Sequence, residues 1–164
     1  MPIPGVLQPE LIEITPALRL RRFDGRFDFA FEWYQDPETV YLVDGVREPY
    51  STQRLSAMYH YLDAHGELYF IEQLRGHAFV PIGDVTFWED DIPIVIGDTS
   101  VRGQGVGSLV VSALIERGRA LGYPALHVRE IYRWNEASRR MFEKLGFIPV
   151  AETEDGHSYR LQLS

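Results

Sequence analysis

Eight residues constrain the fold of this chain more than any others: Val101-Arg102-Gly103-Gln104-Gly105-Val106-Gly107-Ser108. An apolar run, Pro93 to Asp98, precedes them and reads as a strand. After them, Val106, Leu109, Val110, Ala113, Leu114 and Leu121 recur at helical spacing, so a helix opens inside the glycine run. The first N–H groups of such a helix have no partner within it and point outward, with the positive end of the helix dipole behind them. Glycine lets the backbone turn tightly and keeps side chains away from a ligand. Arg102 adds a cation. A strand, a bare turn and a helix start form a cradle for an anion, and a diphosphate suits it well.

Two common diphosphate loops do not fit the stretch. A nucleoside-triphosphate loop ends in Gly-Lys-Ser/Thr, and no lysine stands here. A dinucleotide fingerprint needs a third glycine on the first strand of its fold. Ser108 holds that place here, and the stretch comes late in the chain.

The surroundings narrow the possibilities. At 164 residues with 45% apolar content, residues 1–164 are expected to form one domain with a sizeable core, entered through a loose, proline-containing segment at 1–10. No cysteine is present, which excludes disulfides, thiolate metal sites and a cysteine nucleophile. The five histidines are scattered without ligand spacing, so no metal is expected. A net charge of −8 argues against nucleic acid as the main partner and favours cationic acceptors. No apolar run reaches membrane-spanning length and no secretory signal opens the sequence, so a cytoplasmic protein without membrane contact is expected.

Along the chain, Leu11 to Phe23 reads as a first strand, Phe27 to Tyr34 as a helix interrupted by Asp36-Pro37, and Ser51 as the cap of a second helix running to Ala64. Glu67–Leu74, Ala78–Trp88 and Ile92–Asp98 read as an antiparallel meander. The long helix runs from Gln104 to Leu121 and stops at Gly122 with Pro124 beyond it. Ala125–Ile131 follows as a strand parallel to 92–98, because a helix returns the chain between them. Asn135 caps a short helix with Ala137, Met141, Phe142 and Leu145 on its buried stripe. Phe147–Thr153 and Ser158–Leu163 close the chain as a hairpin.

Arg102-Gly103-Gln104-Gly105-Val106-Gly107 resembles the Arg/Gln-x-x-Gly-x-Gly loop of the GNAT superfamily of N-acetyltransferases, which holds the pyrophosphate of acetyl-CoA. About thirty residues later, Asn135-Glu136-Ala137-Ser138 and the helix ending Lys144-Leu145-Gly146-Phe147 resemble the family's second signature. Both lie within residues 92–147, and the order of elements is that of the GNAT fold. The resemblance implies an α/β (α+β) architecture: a mixed, mostly antiparallel central sheet flanked by helices, with two central parallel strands splayed apart. It implies acetyl-CoA as co-substrate, contacted by Ile96, Gly97, Arg102, Gly103, Gln104, Gly105, Val106, Gly107, Ser108, Asn135 and Ser138. It implies an amine acceptor, which could be a small amine, a polyamine, an aminoglycoside-like compound or a peptide N-terminus. Relatives often pair as homodimers through sheet edges or closing strands. The Asn-x-x-Ser style is that of the branch containing the acetylases of ribosomal-protein N-termini, where the serine approaches the CoA sulfur.

The chemistry asks for a proton acceptor, since an alkylamine with a pKa near roughly 10 must be neutral to attack a thioester. No covalent enzyme intermediate is required. Asp98 closes the strand before the loop, and Glu130 sits between Val128 and Ile131 on the facing strand. Glu130, among apolar neighbours, is the favoured base, its other reading being a salt bridge with Arg129 or Arg133; Asp98 is the other candidate or a turn residue capping the loop, and Asp91 and Glu89 read as standing further from the thioester. Many relatives carry a tyrosine seven residues after the asparagine as acid to the leaving thiolate; here Phe142 stands there and cannot donate a proton. Ser138, a water or another tyrosine must then serve. Phe142 also keeps a second reading open, a non-catalytic CoA-binding sensor or scaffold of the same fold.

Overall fold

The computed structural model describes residues 1–164. The first stretch, Leu11 to Phe23, is a hairpin rather than one strand: β1 (Leu11–Thr15) and β2 (Leu18–Arg22) pair antiparallel. Pro16 lies at the bend, where a residue without an N–H ends a ladder, and Thr15 Oγ1 accepts from the Ala17 amide at 3.1 Å. The segment before the hairpin is less loose than its prolines suggest, since Gln8 is buried and donates from Nε2 to the Leu68 carbonyl at 3.1 Å.

After the hairpin, the aromatic run Asp28–Gln35 coils as a 3-10 helix. Asp36-Pro37, read from sequence as an interruption, is the start of a further helix, α1 (Pro37–Asp44). Asp36 caps it through the Glu38 amide, and Pro37 occupies its first turn, where the missing N–H is not needed. The next helix, α2 (Thr52–His65), is capped by Ser51 through the Arg54 amide, as the sequence suggested.

Three strands follow: β3 (Glu67–Arg75), β4 (Ala78–Phe87) and the short β5 (Ile94–Ile96). They extend the hairpin into a five-stranded antiparallel sheet in the order β1-β2-β3-β4-β5. In β3, successive side chains serve opposite faces. Tyr69 and Ile71 join the core under α3 (Val106–Ala120), while Leu68 and Phe70 join a second core under α2 and the 3-10 stretch. β6 (Ala125–Tyr132), α4 (Glu136–Lys144), β7 (Ile148–Glu152) and β8 (Gly156–Gln162) complete the chain. A second antiparallel sheet runs β6-β8-β7. Of the expected buried stripe on α4, only Phe142 is buried; Met141 and Leu145 are half-buried and Ala137 is exposed.

The two sheets meet at one place. The His127 amide donates to the Glu89 carbonyl at 3.0 Å, and the Arg129 amide donates to Asp91 Oδ1 at 3.0 Å. Both partners advance by two residues, the sense expected of strands that a helix separates. Beyond these bonds the strands share no ladder, and a bulge in β6 between Val128 and Ile131 bends it further away. The result is a fork whose closed end is Asp91 and whose open end faces the glycine loop.

Candidate active site in the fork

A cavity of about 490 Å³ fills the fork. Its walls are β5, the glycine loop and first turn of α3, the end of β6, and the cavity-facing residues of α4 and α1. Most of the lining is apolar, including Ile94, Ile96, Val128, Ile131 and Phe142.

At the mouth, Gly103 and Gly105 stand at φ 78° and 80°, the left-handed region that glycine enters freely. Gly105 is the N-cap of α3 and offers no side-chain cap, and the amides of Val106, Gly107 and Ser108 have no partner within the chain. A Cβ at residue 103 or 105 would meet nothing within 4 Å, so the space above the loop is open. These are the features of an anion site at a helix N-terminus. Arg102, expected to supply a cation to the ligand, points inward. Its guanidinium donates to the Ile96 carbonyl at 3.0 and 2.9 Å and to Thr39 Oγ1 at 2.8 Å, tying loop, β5 and α1 together.

Of the residues expected to contact the cofactor, Ile96, Arg102, Gly103, Gly105, Val106, Gly107, Ser108, Asn135 and Ser138 line the cavity; Gly97 and Gln104 do not. Gly97 is buried and its amide donates to the Ile82 carbonyl at 2.9 Å. A Cβ there would come 2.2 Å from Trp33, so close packing explains the glycine. Gln104 turns back to donate to the Ser100 carbonyl at 3.2 Å. Asn135 is committed at both ends of its amide: Oδ1 accepts from the Ser138 amide at 3.2 Å and Nδ2 donates to the Leu42 carbonyl at 3.4 Å. Ser138 Oγ has no partner in the chain.

The carboxylates sort themselves by position. Asp98 lies outside the cavity. It caps the turn through Ser100 and pairs with Arg75 at 2.6 Å, and the Ser100 hydroxyl, then the guanidinium, hold its pKa below the ordinary carboxylate range. A carboxylate so engaged is ill suited to take up a proton, and the base expected at Asp98 does not fit its surroundings. Glu130 lines the cavity, half-buried; its Oε2 accepts from the Asp155 amide at 3.2 Å. Strict alternation along β6 would send Glu130 toward the core after Leu126 and Val128, and the bulge re-aims it. Asp91, set aside on sequence grounds, lines the same cavity at the closed end of the fork.

Tyr132, the last residue of β6, is the tyrosine of the lining. Burial raises its pKa, followed by the negative charges of Glu130, Asp44 and Asp155 around it, so the phenol stays protonated. Its ring stacks on Trp134 at 4.7 Å, Trp134 stacks on Tyr41 at 5.0 Å, and the Arg47 guanidinium covers Tyr41 at 3.9 Å. Trp134 Nε1 also donates to the Tyr41 carbonyl at 3.0 Å. This ladder crosses from α1 to the β6–α4 turn and makes α1 a wall of the cavity. Neither α1 nor the ladder was visible in sequence, because aromatic spacing reveals stacking only once the backbone is placed. Tyr34, Tyr50 and Trp88 are buried core residues. No group of three or more His, Asp or Glu side chains is placed to hold a metal ion, and no helix is long and apolar enough to cross a membrane.

Known proteins share this fold. A domain from Methanocaldococcus jannaschii superposes with a TM-score of 0.79 at 20% identity, over 89% of this chain and 98% of that one. The Salmonella typhimurium acetyl transferase that modifies the N-terminal serine of ribosomal protein L7/L12 gives 0.69 at 17% identity, over 94% and 100%. YncA of Salmonella typhimurium, solved with its cofactor acetyl-CoA, gives 0.64 at 18% identity, over 90% and 94%. At these identities the likeness is one of fold. No curated protein sequence matches significantly. The family model described as the acetyltransferase (GNAT) domain matches residues 17–148, which span the hairpin turn, the fork, the glycine loop and α4. The chain therefore belongs to the GNAT acetyltransferase family.

Proposed function

We propose that the protein transfers the acetyl group of acetyl-CoA directly to a primary amine. The observation that carries this reading is the run of unpartnered amides at the mouth of a cavity that ends on carboxylates. The diphosphate of CoA settles on the amides of the loop and the first turn of α3. The pantetheine arm enters the gap between β5 and β6, where backbone groups have no ladder partner. Asn135 and Ser138 flank it from α4. The acceptor approaches from the side of α1, and Glu130 receives its ammonium and draws off the proton that keeps it from attacking. Direct transfer then requires only that amine and thioester be held together and that the developing oxyanion meet a donor.

The acceptor is an amine of one of four kinds: a small amine, a polyamine, an aminoglycoside-like compound or a peptide N-terminus. The structural likeness to the L7/L12-modifying enzyme favours including peptides in any panel. Thiol release from acetyl-CoA, measured against these four classes, tests the proposal. Turnover with at least one class is expected. Tight CoA binding without turnover across the panel would instead favour the sensor or scaffold reading, which Phe142 supports: its phenyl ring, buried edge-on against Phe147 at 5.1 Å, has no proton to give. Glu130→Gln is expected to lower the rate at neutral pH by about 10²-fold or more, with the loss shrinking at alkaline pH as free amine becomes available. An equal loss at both would assign Glu130 a structural role.

A further inference from the structure

Acetyl transfer by this route removes two protons from the acceptor, one from the ammonium and one from the nitrogen after attack, and the departing sulfur needs one back. Phe142 cannot supply it, and one carboxylate in the cavity has no part so far.

That carboxylate is Asp91. Its Oδ1 accepts two backbone amides, Arg129 at 3.0 Å and Ile92 at 3.1 Å, and so pins β6 to the approach of β5 where the strands part. Its Oδ2 has no partner in the chain, yet it is not among the sealed, unsatisfied polar atoms, and the residue lines the cavity. One oxygen is structural, and the other is left accessible on a residue that lines the cavity.

The reach of the substrate brings the thioester there. Between phosphorus and sulfur the pantetheine arm has roughly thirteen bonds, about 15 Å when extended. Strand residues rise about 3.3 Å each, so an arm running back from Ile96, the cavity-lining end of β5, ends four or five residues earlier, at Asp91 or Ile92. That is the closed end of the fork.

We propose, on the footing of the acetyl-transfer reading, that Asp91 carries the proton from the attacking nitrogen to the departing sulfur. Once Glu130 has taken the first proton, the amine lone pair forms the N–C bond and the carbonyl electrons move onto oxygen. Asp91 Oδ2 takes the proton of the now cationic nitrogen. As the carbonyl re-forms, the C–S bond breaks with its electron pair on sulfur, and Asp91 returns the same proton to it. The products are the amide and the free thiol. Asp91 is again a carboxylate, and the proton held by Glu130 leaves to solvent. One carboxylate thus performs the step that a tyrosine performs in relatives. Burial raises the pKa of Asp91, with the Arg129 amide and guanidinium opposing and Asp90 adding to the rise; a carboxyl so placed holds a proton more readily in passing. Of the residues that α4 turns to this cavity, Asn135, Ala137, Ser138, Met141 and Phe142, none is ionisable.

Asp91→Asn separates the two oxygens, because an amide oxygen can still accept both backbone N–H groups while the proton carrier is lost. The variant is expected to keep its melting temperature and its KM for acetyl-CoA and to lose about 10²-fold or more in kcat. Unlike the loss in Glu130→Gln, this one persists at alkaline pH, since the proton concerned belongs to the adduct and not to the free amine. Asp91→Ala, which removes the pin as well, should also lower the melting temperature. Near-wild-type kcat in Asp91→Asn would overturn the proposal and leave Asp91 a fork pin, as would a loss relieved at high pH. Absence of turnover in the wild type would overturn the acetyl-transfer reading itself, and the shuttle with it.

Discussion

At residue 105 the backbone sits at φ 80°, and any side chain placed there would strain it by roughly 1–2 kcal/mol even though the space beyond is open. Gly105→Asp adds a negative charge facing the diphosphate. It should abolish CoA binding in a calorimetric titration while the fold persists; unchanged affinity would remove the loop from the site. Gly97→Ala fails differently. Its new Cβ would collide with Trp33, so it should lower the melting temperature, with CoA affinity affected only through the fold. The contrast shows what sequence conveys about single residues. It conveys that glycines are needed near 97–107, but a glycine required for φ and one required for packing look alike until the neighbour is placed. The same holds for charge. Arg102 reads as a cation for the ligand and Asp98 as a candidate base or a loop cap, and both are spent on holding the strand end. Asp91 reads as standing away from the thioester, and the fork makes it part of the cavity.

Among elements, those with a long hydrophobic period were legible. α2, α3, β3, β4, β6 and α4 lie within a few residues of their expected limits. The elements missed are short and proline-marked: the β1–β2 bend at Pro16 and α1 at Pro37. Proline ends one element and begins another with the same chemistry, and only the surrounding ladder decides which. α1 matters because the aromatic ladder through Trp134 anchors it across the cleft. Trp134→Ala removes two stacked contacts and the bond to the Tyr41 carbonyl. It should raise the KM for the acceptor more than the KM for acetyl-CoA, measured in parallel titrations, because the ladder shapes the wall that the acceptor passes. Equal changes in both would mean that α1 serves the fold as a whole.

Across the whole molecule, stability and site are tied through the sheet. Asp84 lies buried in β4 beneath α2 and the 3-10 stretch, where Tyr34 and Tyr59 donate to its Oδ2 at 2.7 and 2.8 Å. Burial pushes its pKa up to about 6 from the ordinary 3.8, with the two hydroxyls opposing. A folded-state pKa above the unfolded one means that the protonated form favours folding. This contribution is full below about pH 4 and is lost as pH rises through about 6, where the ionised group costs roughly 2–3 kcal/mol relative to acid. Asp84→Asn should therefore gain stability relative to the wild type between pH 4 and pH 7 in thermal melts. A constant difference across that range would show that Asp84 does not titrate there. The splaying of the two sheets follows from the same architecture: β5 is three residues long, β6 is bulged, and the hydrogen bonds between the sheets are confined to Glu89 and Asp91, while the shared core packs both against α3. The most direct measurement is a crystal structure with CoA bound. The diphosphate should lie on the amides of residues 103–108, with the sulfur between β5 and β6 near Asp91; a diphosphate seated elsewhere, or a sulfur directed away from the fork, would contradict the account.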